Sequence, residues 1–283
     1  MKVLVTGGAG FVARHLRAEL VSVGHDVVLT DIAGDGMIAA DLVDASAMRQ
    51  LVAAVRPDAC VHLGAVSFVP DAARNQEAMR RVNVDGTENL LRAFALEACH
   101  ARILLVSSAQ VLVHPLSAYA VSKLKAEEML ARYPELDSLV ARPANHTGPG
   151  QASKFVVPAF VRQALEIKDG LRECFRVGNL ASVRDFTDVR DVARAYRMLL
   201  DKGSRGCIYP ISSGKRFRID EVLDVICDII GIDAPRCVDA TLFRPTDASP
   251  TLDVSSLYNL GWVPRFSLNQ TISDMIEDTL SHR

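Results

Sequence analysis

The sequence predicts a doubly wound α/β protein, in which helices cover both faces of a parallel β-sheet. Short apolar runs alternate with longer amphipathic stretches through the first half of the chain. The first apolar run leads directly into a glycine-rich turn, and a helical pattern follows that turn. Strands and helices that alternate at this spacing form βαβ units, whose strands are parallel and buried on both faces.

Each element can be placed from its hydrophobic period. Short apolar runs predict strands over residues 2–5, 27–30, 59–62, 102–106 and 138–141. A period of three to four residues predicts helices over residues 11–21, 45–55, 74–98 and 118–131. Beyond residue 142 prolines and glycines become frequent and strand patterns sparse, with helical periods over residues 156–167, 189–200, 219–230 and 268–280. We therefore expect a sheet domain over 1–145, rejoined by about 186–212, and a smaller substrate-binding region over 146–283 at the carboxyl edge of the sheet.

Composition excludes several classes of partner. The chain has 283 residues, of which 49% are hydrophobic and 23% charged, and a net charge of −2. This balance is typical of a soluble globular protein and offers no basic face for nucleic acid or for an anionic membrane. The six cysteines include no CxxC pair, and the amino terminus lacks the pattern of a signal peptide. We expect a cytoplasmic protein with no bound metal.

The turn after the first strand has the pattern of a dinucleotide-binding fingerprint. It reads TGGAGFVA over residues 6–13 and stands between a strand and a helix, as the fingerprint requires. Gly7 permits a tight turn, and Gly10 lets the backbone approach a pyrophosphate. The helix that begins at Phe11 and Val12 offers free N–H groups and a partial positive charge to that anion. The sequence therefore predicts a Rossmann domain with a nicotinamide dinucleotide cofactor.

A carboxylate after the second strand bears on the choice of cofactor. Asp31 follows Gly10 by 21 residues, where a carboxylate can accept hydrogen bonds from the adenosine ribose. A 2′-phosphate at about 4 Å would be repelled by roughly 4 kcal/mol at an effective dielectric constant near 20. NAD(H) is therefore favoured, and NADP(H) is the alternative. Asp41 and Leu42 are expected near the adenine; Asp31 could instead serve only a strand-end turn.

A serine, a tyrosine and a lysine form the candidate catalytic group. Tyr119 and Lys123 stand four residues apart, which places them on one face of a helix. Free tyrosine has a pKa near 10, and we expect Lys123 to lower the pKa of Tyr119 toward neutrality. Ser108, at the end of the strand over 102–106, can donate a hydrogen bond to a substrate oxygen. Spacing alone leaves Ser107 as an alternative to Ser108.

These motifs together resemble the extended short-chain dehydrogenase/reductase family. The resemblance rests on TGGAGF (6–11), HLGA (62–65), NVDGT (83–87), SSAQV (107–111), YAVSK (119–123), RPANHTGPG (142–150) and VRDFTDVRDVARA (183–195). It implies that Ser108 is the catalytic hydroxyl, Tyr119 the acid or base and Lys123 its partner. It also implies that Leu63, Gly64, Ala65 and Asn83 line the cofactor cleft. The family commonly forms homodimers, so helices near 74–98 and 118–131 are expected to meet a second copy.

The later motifs are similar to those of GDP-4-keto-6-deoxymannose reductases and of their relatives, the GDP-mannose 4,6-dehydratases. This likeness implies that Asn145 contacts the sugar and that His146 lies by the cofactor. It also implies that Arg184 and Arg244 grip the diphosphate or nucleoside, and that Asp247 lies near the guanosine or ribose; arginine suits phosphates well. The alternative is that both arginines only form ion pairs with neighbouring aspartates.

Two residues after Ser108 distinguish reduction from dehydration. Family dehydratases need a general base there, whereas this chain has Ala109 and Gln110, neither of which ionises. Gln110 can orient a substrate but cannot take its C5 proton. We therefore expect NAD(P)H-dependent reduction of the C4 ketone of a nucleotide-activated 4-keto-6-deoxy sugar, with a GDP-sugar favoured and GDP-rhamnose or its C4 epimer as product. The alternatives are an NAD-dependent nucleotide-sugar 4-epimerase and a protein that binds the dinucleotide without catalysis.

Overall fold

The computed structural model describes residues 1–67, 75–243 and 249–282, and the chain divides into two compact units. The first unit comprises Met1–Pro143, Val192–Ile211 and Leu252–Trp262. The second comprises Ala144–Asp191, Ser212–Thr251 and Val263–Arg283. The sequence predicted a first domain that ends at residue 145 and is rejoined by about 186–212. The corresponding segments of the first unit end at Pro143 and span Val192–Ile211. The segment Leu252–Trp262 in the first unit has no counterpart in the sequence-based prediction.

A parallel sheet of seven strands forms the centre of the first unit. Its strands are β1 (Lys2–Thr6), β2 (Asp26–Asp31), β3 (Ile38–Ala39), β4 (Ala59–His62), β5 (Arg102–Val106), β6 (Asp137–Pro143) and β11 (Ile208–Ile211). Their order in space is β3-β2-β1-β4-β5-β6-β11, and every neighbouring pair is parallel. The order reverses between β1 and β4. In folds of this kind ligands bind at that reversal, outside the carboxyl ends of the strands.

Helices cover both faces of this sheet, so the predicted doubly wound class is confirmed. They are α1 (Phe11–Ser22), α2 (Ala45–Val55), α3 (Gln76–Arg80), α4 (Gly86–Glu97), α5 (Ala118–Met129), α9 (Ser255–Asn259) and, from Val192 onward, α7 (Val189–Lys202). Alternate residues of a strand point to opposite faces. Val3 and Val5 are fully buried in a cluster with Leu16 of α1. Leu4 faces the other way, into a cluster with Phe94 of α4.

The predicted helix over 74–98 is not one regular α-helix. Its described part begins as α3, continues as a π-helical turn over Arg81–Asp85, and ends as α4. A π-helical turn accommodates an extra residue in a helix and often marks a functional position. Here the turn contains the buried Asn83. The predicted helix over 118–131 likewise ends as a 3-10 turn, Leu130–Arg132.

The second unit is built from short strands and longer helices. Its strands are β7 (His146–Thr147), β8 (Phe175–Val177), β9 (Val183–Asp185), β10 (Thr187–Asp188), β12 (Arg216–Arg218) and β13 (Arg236–Val238). Its helices are α6 (Val156–Lys168), α8 (Ile219–Ile230), α10 (Leu268–Ser281) and the start of α7. The strands pair only two by two, as β7–β10, β9–β12 and β8–β13. Phe160, Phe175, Ile226 and Ile272 lie in the apolar core of this unit. Within the described part of the chain, no helix has both the length and the apolarity needed to cross a membrane.

Candidate active site

The glycine turn that follows β1 packs closely against the loop that follows β4. Gly7 has a φ of +70°, and a Cβ built on it would lie 2.8 Å from the backbone nitrogen of Gly64. Only glycine adopts this conformation at such a close approach without strain. Gly10 begins α1 as its N-cap and provides no side chain to cap the helix. Ala13 is fully buried, as expected of the small residue that packs the helix onto the sheet.

Asp31 is the last residue of β2 and reaches back to this turn. Its carboxylate accepts hydrogen bonds from the backbone N–H of Ala9 at 3.1 Å and from that of Ile32 at 2.7 Å. The side chain is only partly buried. A half-exposed negative charge is therefore fixed at the carboxyl end of β2, beside the glycine turn.

The other predicted cofactor residues lie around the loop that follows β4. Leu42 packs so closely that a Cβ on Gly64 would lie 2.7 Å from its side chain, whereas Asp41 is exposed and accepts from the N–H of Val43. Leu63 and Ala65 flank Gly64 and are partly buried. Asn83 fixes the next residue of the loop, since it bonds both the N–H and the C=O of Val66, at 2.8 and 3.1 Å.

A buried histidine connects three elements beneath this loop, and its tautomer follows from its partners. The N–H of Gly64 donates to the Thr6 hydroxyl, which is therefore free to donate to Nδ1 of His62, 2.7 Å away. The Thr87 hydroxyl donates to the carbonyl of Asn83 and so accepts from Nε2 of His62, at 2.9 Å. Neutral His62 with its proton on Nε2 satisfies the whole network. Burial, and next the charge of Lys123, lower the pKa of His62 to about 3.

His62 should make the stability of the protein sensitive to acid. Its pKa in the folded state lies below the value near 6.5 expected in the unfolded chain, so the unfolded chain takes up the proton first. The contribution of neutral His62 to the free energy of unfolding is therefore fully present above about pH 6.5. We expect the free energy of unfolding to fall by about 1.4 kcal/mol per pH unit as the pH falls toward 3. Urea denaturation between pH 7.5 and 4.5 tests this. The His62→Gln variant should lose that part of the slope, whereas the exposed His100→Gln variant should keep it.

The three predicted catalytic side chains lie together at the carboxyl end of β5. Ser108 follows β5 and is the N-cap of a 3-10 turn, and its side chain lies near the phenol of Tyr119, which is on α5. Lys123 is also on α5 and is 6% exposed. Its ammonium donates to the carbonyl of Val106, the last residue of β5, at 2.8 Å.

The pKa of Tyr119 differs from the expectation. Burial raises the pKa of Tyr119 to about 12, and the nearby side chain of Ser108 offsets only part of this effect. The expected lowering by Lys123 is not found, and burial also lowers the pKa of Lys123, to about 8. Desolvation dominates both pKa values because both groups are buried. The phenol is therefore protonated at neutral pH, the form that can donate a proton to a substrate oxygen.

The two adjacent serines have different partners. Ser107 is 3% exposed and its hydroxyl donates to the carboxylate of Glu127. Ser108 is half-buried; its hydroxyl accepts from the N–H of Gln110 at 3.2 Å and lies near the phenol of Tyr119. Sequence spacing alone did not separate these two hydroxyls. The role of Ser108 as the hydroxyl that meets a substrate stays a prediction, and Ser107 is the one engaged with Glu127.

Matched substitutions of the two serines should therefore differ in effect. We expect Ser108→Ala to lower kcat by about 10²–10³-fold, because it removes a donor aimed at the reacting oxygen. Ser107→Ala removes a donor to Glu127 and should cost less than about tenfold, in keeping with the worth of one hydrogen bond. Steady-state kinetics of both variants would show the difference. A larger loss in Ser107→Ala would assign the catalytic hydroxyl to Ser107.

Two predicted substrate residues, Asn145 and Arg184, and one predicted cofactor residue, His146, belong to the second unit. Asn145 and His146 are half-buried; the carbonyl of Asn145 accepts from the N–H of Thr187, and Nδ1 of His146 lies 3.2 Å from the carbonyl of Ala144. Burial lowers the pKa of His146. Arg184, on β9, is 5% exposed and donates to the carbonyl of Val183 at 3.0 Å. It is thus a buried cation rather than a surface residue.

The alternative, an ion pair of Arg184 with Asp188 or Asp191, stays open, and both aspartates also bond other groups. Asp188 accepts from the guanidinium of Arg190 at 2.7 Å. Asp191 is fully buried and accepts from the backbone N–H of Arg265 at 2.8 Å. The proposed ligands Arg244 and Asp247 lie outside the described residues, so their roles stay predictions.

A doubly wound sheet that carries this glycine turn and these three side chains defines a short-chain dehydrogenase/reductase. The chain belongs to the NAD dependent epimerase/dehydratase family, the extended branch of that class, because the family model matches residues 3–212. The predicted family and the prediction of an NAD(P)-dependent enzyme are thereby confirmed.

Several proteins with assigned activities are similar over most of their length. A GDP-6-deoxy-D-mannose reductase of Pseudomonas aeruginosa is 30% identical, over 98% of this chain and 96% of its own. A GDP-6-deoxy-D-talose 4-dehydrogenase of Aggregatibacter actinomycetemcomitans is 30% identical, over 81% of this chain and 80% of its own. The structure of RMD from Pseudomonas aeruginosa complexed with NADPH has a TM-score of 0.89 and 30% identity, over 100% of this chain and 99% of that one.

Proposed function

We propose that this protein uses a nicotinamide cofactor to reduce the C4 ketone of a GDP-4-keto-6-deoxyhexose, with a GDP-6-deoxyhexose such as GDP-rhamnose as product. The observation that carries the proposal is the buried, protonated phenol of Tyr119 four residues from the buried Lys123, whose ammonium donates to the carbonyl of Val106 at the end of the strand that leads to Ser108. The positions after Ser108 hold Ala109 and Gln110, which offer no base for dehydration. The two relatives named above act at the same kind of sugar nucleotide.

The first unit has features that fit a dinucleotide. Gly10 leaves the start of α1 without a side-chain cap, and the first N–H groups of a helix lack intrahelical acceptors. A pyrophosphate is the anion that such a helix start accepts. The residues expected to hold the cofactor are Gly7, Gly10, Phe11, Val12, Asp31, Asp41, Leu42, Leu63, Gly64, Ala65, Asn83, Tyr119, Lys123 and, from the second unit, His146. When bound, the reduced nicotinamide supplies a hydride.

The side chains of this protein handle the proton and the charge of the reaction. Ser108 donates a hydrogen bond to the C4 oxygen of the sugar, which makes the carbonyl carbon more electrophilic. Tyr119 gives its proton to the oxygen as the alkoxide forms. The ammonium of Lys123 stabilises the tyrosinate that is left behind. Gln110, Asn145, Arg184, Arg244 and Asp247 are the residues we assign to the sugar, the diphosphate and the nucleoside.

A coupled assay tests the proposal. GDP-mannose would be converted in place by a GDP-mannose 4,6-dehydratase, and the purified protein would be added with reduced cofactor. We expect one equivalent of cofactor to be oxidised per ketosugar consumed, with a GDP-6-deoxyhexose found by mass spectrometry. Absence of cofactor oxidation with a confirmed supply of ketosugar would exclude the reductase.

The same assay measures the preference between NADH and NADPH. The partly buried carboxylate of Asp31, bonded to the glycine turn, would repel a nearby 2′-phosphate, so we expect kcat/KM to be higher with NADH. Asp31→Asn removes the charge and should raise kcat/KM with NADPH relative to NADH. An equal preference in both proteins would show that Asp31 does not select the cofactor.

A nucleotide-sugar 4-epimerase is the second candidate, because the family includes epimerases and the Ser108–Tyr119–Lys123 group suits oxidation and re-reduction at C4. An epimerase would retain NAD through purification and interconvert UDP- or dTDP-sugars without net cofactor consumption. Tight NAD(H) binding without turnover of any ketosugar would instead favour a non-catalytic binding protein. We further expect a cytoplasmic homodimer, and light scattering after size-exclusion chromatography tests the oligomeric state.

A further inference from the structure

A buried ion pair lies next to Lys123 and takes no part in the proposed reaction. Glu127 follows Lys123 by four residues on α5, so the two side chains share one face of the helix. The guanidinium of Arg142, on β6, donates to both carboxylate oxygens of Glu127, at 2.5 and 2.9 Å. The side chain of Glu127 is 7% exposed and that of Arg142 is 17% exposed. The hydroxyl of Ser107 gives the carboxylate a further hydrogen bond.

The groups around Lys123 have different effects on the pKa of its ammonium. Burial lowers the pKa of Lys123 to about 8, and the carboxylate of Glu127 opposes that change. His62 is neutral because burial and Lys123 itself lower its pKa, and Tyr119 is protonated. Among the residues that the structure describes, Glu127 is thus the one negative group found to stabilise the ammonium.

We infer that Glu127 is a positioning residue of the active site, whose negative charge keeps Lys123 cationic while the carbonyl of Val106 holds the ammonium at the end of β5. The inference rests on the proposed role of Lys123, because only a cationic Lys123 can stabilise the tyrosinate of Tyr119. Arg142 and Ser107 orient the carboxylate by hydrogen bonds, and Glu127 acts on Lys123, one helical turn away, through its charge. A merely structural ion pair would stabilise the fold without changing the protonation of Lys123.

The protonation of Lys123 can be measured directly by NMR. The chain has seven lysines, so protein labelled with ¹³C at lysine Cε gives few signals. The Lys123 signal is the one missing from Lys123→Met. In Glu127→Gln we expect the pKa of Lys123 to fall by about 1 to 3 pH units, the usual effect of one nearby opposite charge. The matched control is Glu128→Gln, which removes the same charge at an exposed neighbouring position and should leave the pKa unchanged.

A second variant keeps the test decisive if Glu127→Gln does not fold with Arg142 unpaired. Glu127→Gln/Arg142→Gln removes both charges, and the pKa of Lys123 should still fall because Glu127 is the carboxylate that acts on it. An unchanged Lys123 pKa in either folded variant would overturn the inference. If the ketosugar assay shows turnover, the alkaline limb of its kcat profile should move to lower pH in the same variants. If it shows none, the proposed function fails while the NMR titration still decides this inference.

Discussion

Replacing Tyr119 by phenylalanine is expected to lower the turnover of the ketosugar by about 10²–10⁴-fold, the usual contribution of a general acid. Phenylalanine keeps the ring that packs in this 9% exposed position and loses only the proton donor. The dissociation constant for NADH, measured by fluorescence, should change little, because Tyr119 is only one of the residues assigned to the cofactor and its ring is kept. A lower kcat with little change in cofactor affinity separates a chemical role from a structural one.

The matched control for this prediction is Tyr258→Phe. Tyr258 belongs to the same unit, is 42% exposed and stacks on Trp262. The substitution therefore removes a tyrosine hydroxyl that is not part of the candidate site. It should retain its activity. If Tyr119→Phe turned over at the wild-type rate, another group would have to supply the proton, and the assigned mechanism would be wrong.

Alanine at Gly7 is expected to destabilise the protein by about 2–5 kcal/mol and to weaken NADH binding by about tenfold or more. The added methyl group would lie 2.8 and 2.9 Å from backbone atoms of Gly64, which cannot move without shifting the end of β4. The φ of +70° adds its own strain for any residue with a side chain. Thermal unfolding and NADH titration measure the two effects.

The chain offers a control that isolates the backbone strain. Gly36 has the same φ of +70°, but a Cβ built on it meets no atom within 4 Å. Gly36→Ala should cost about 1–2 kcal/mol and leave NADH binding intact. If both variants behaved alike, the contact between the two loops would contribute nothing to the cofactor site.

Local patterns were sufficient to predict the elements with clear ends. The helix α2 begins after Asp44, whose side chain accepts from two backbone N–H groups, and α8 ends at Gly231 with a φ of +75°. Both helices were predicted with their observed bounds because such caps are visible in the sequence. The π-helical turn at Arg81–Asp85 was not predicted, since one extra residue barely disturbs a hydrophobic period. Strands of two or three residues, such as β7, are too short to show an alternation.

The candidate site could be predicted only for residues whose separation in the sequence already brings them together in space. Tyr119 and Lys123 follow from their separation on a helix, and the glycine turn from its position after β1. The partners of Ser107 and Ser108 depend on where the side chains of Glu127 and Tyr119 lie, which adjacent positions in a sequence do not reveal. The bond between Glu127 and Arg142 joins residues 15 positions apart on different elements. The sequence does place Glu127 four residues after Lys123, but lysine and glutamate at this spacing are common on the exposed faces of helices, so the pattern did not single out Glu127.

The interleaved order of the two units has a consequence for synthesis on the ribosome. The chain passes between the units five times, and strand β11, which covers the edge of β6, arrives 68 residues after Pro143. At about 5–20 residues per second this delay is roughly 3–14 s. Throughout that interval the hydrogen-bonding edge of β6 has no neighbour on one side in the nascent chain. An exposed edge of this kind pairs readily with other strands. Vectorial synthesis therefore makes this edge a place where chaperones would prevent intermolecular strand pairing before Ile211 emerges.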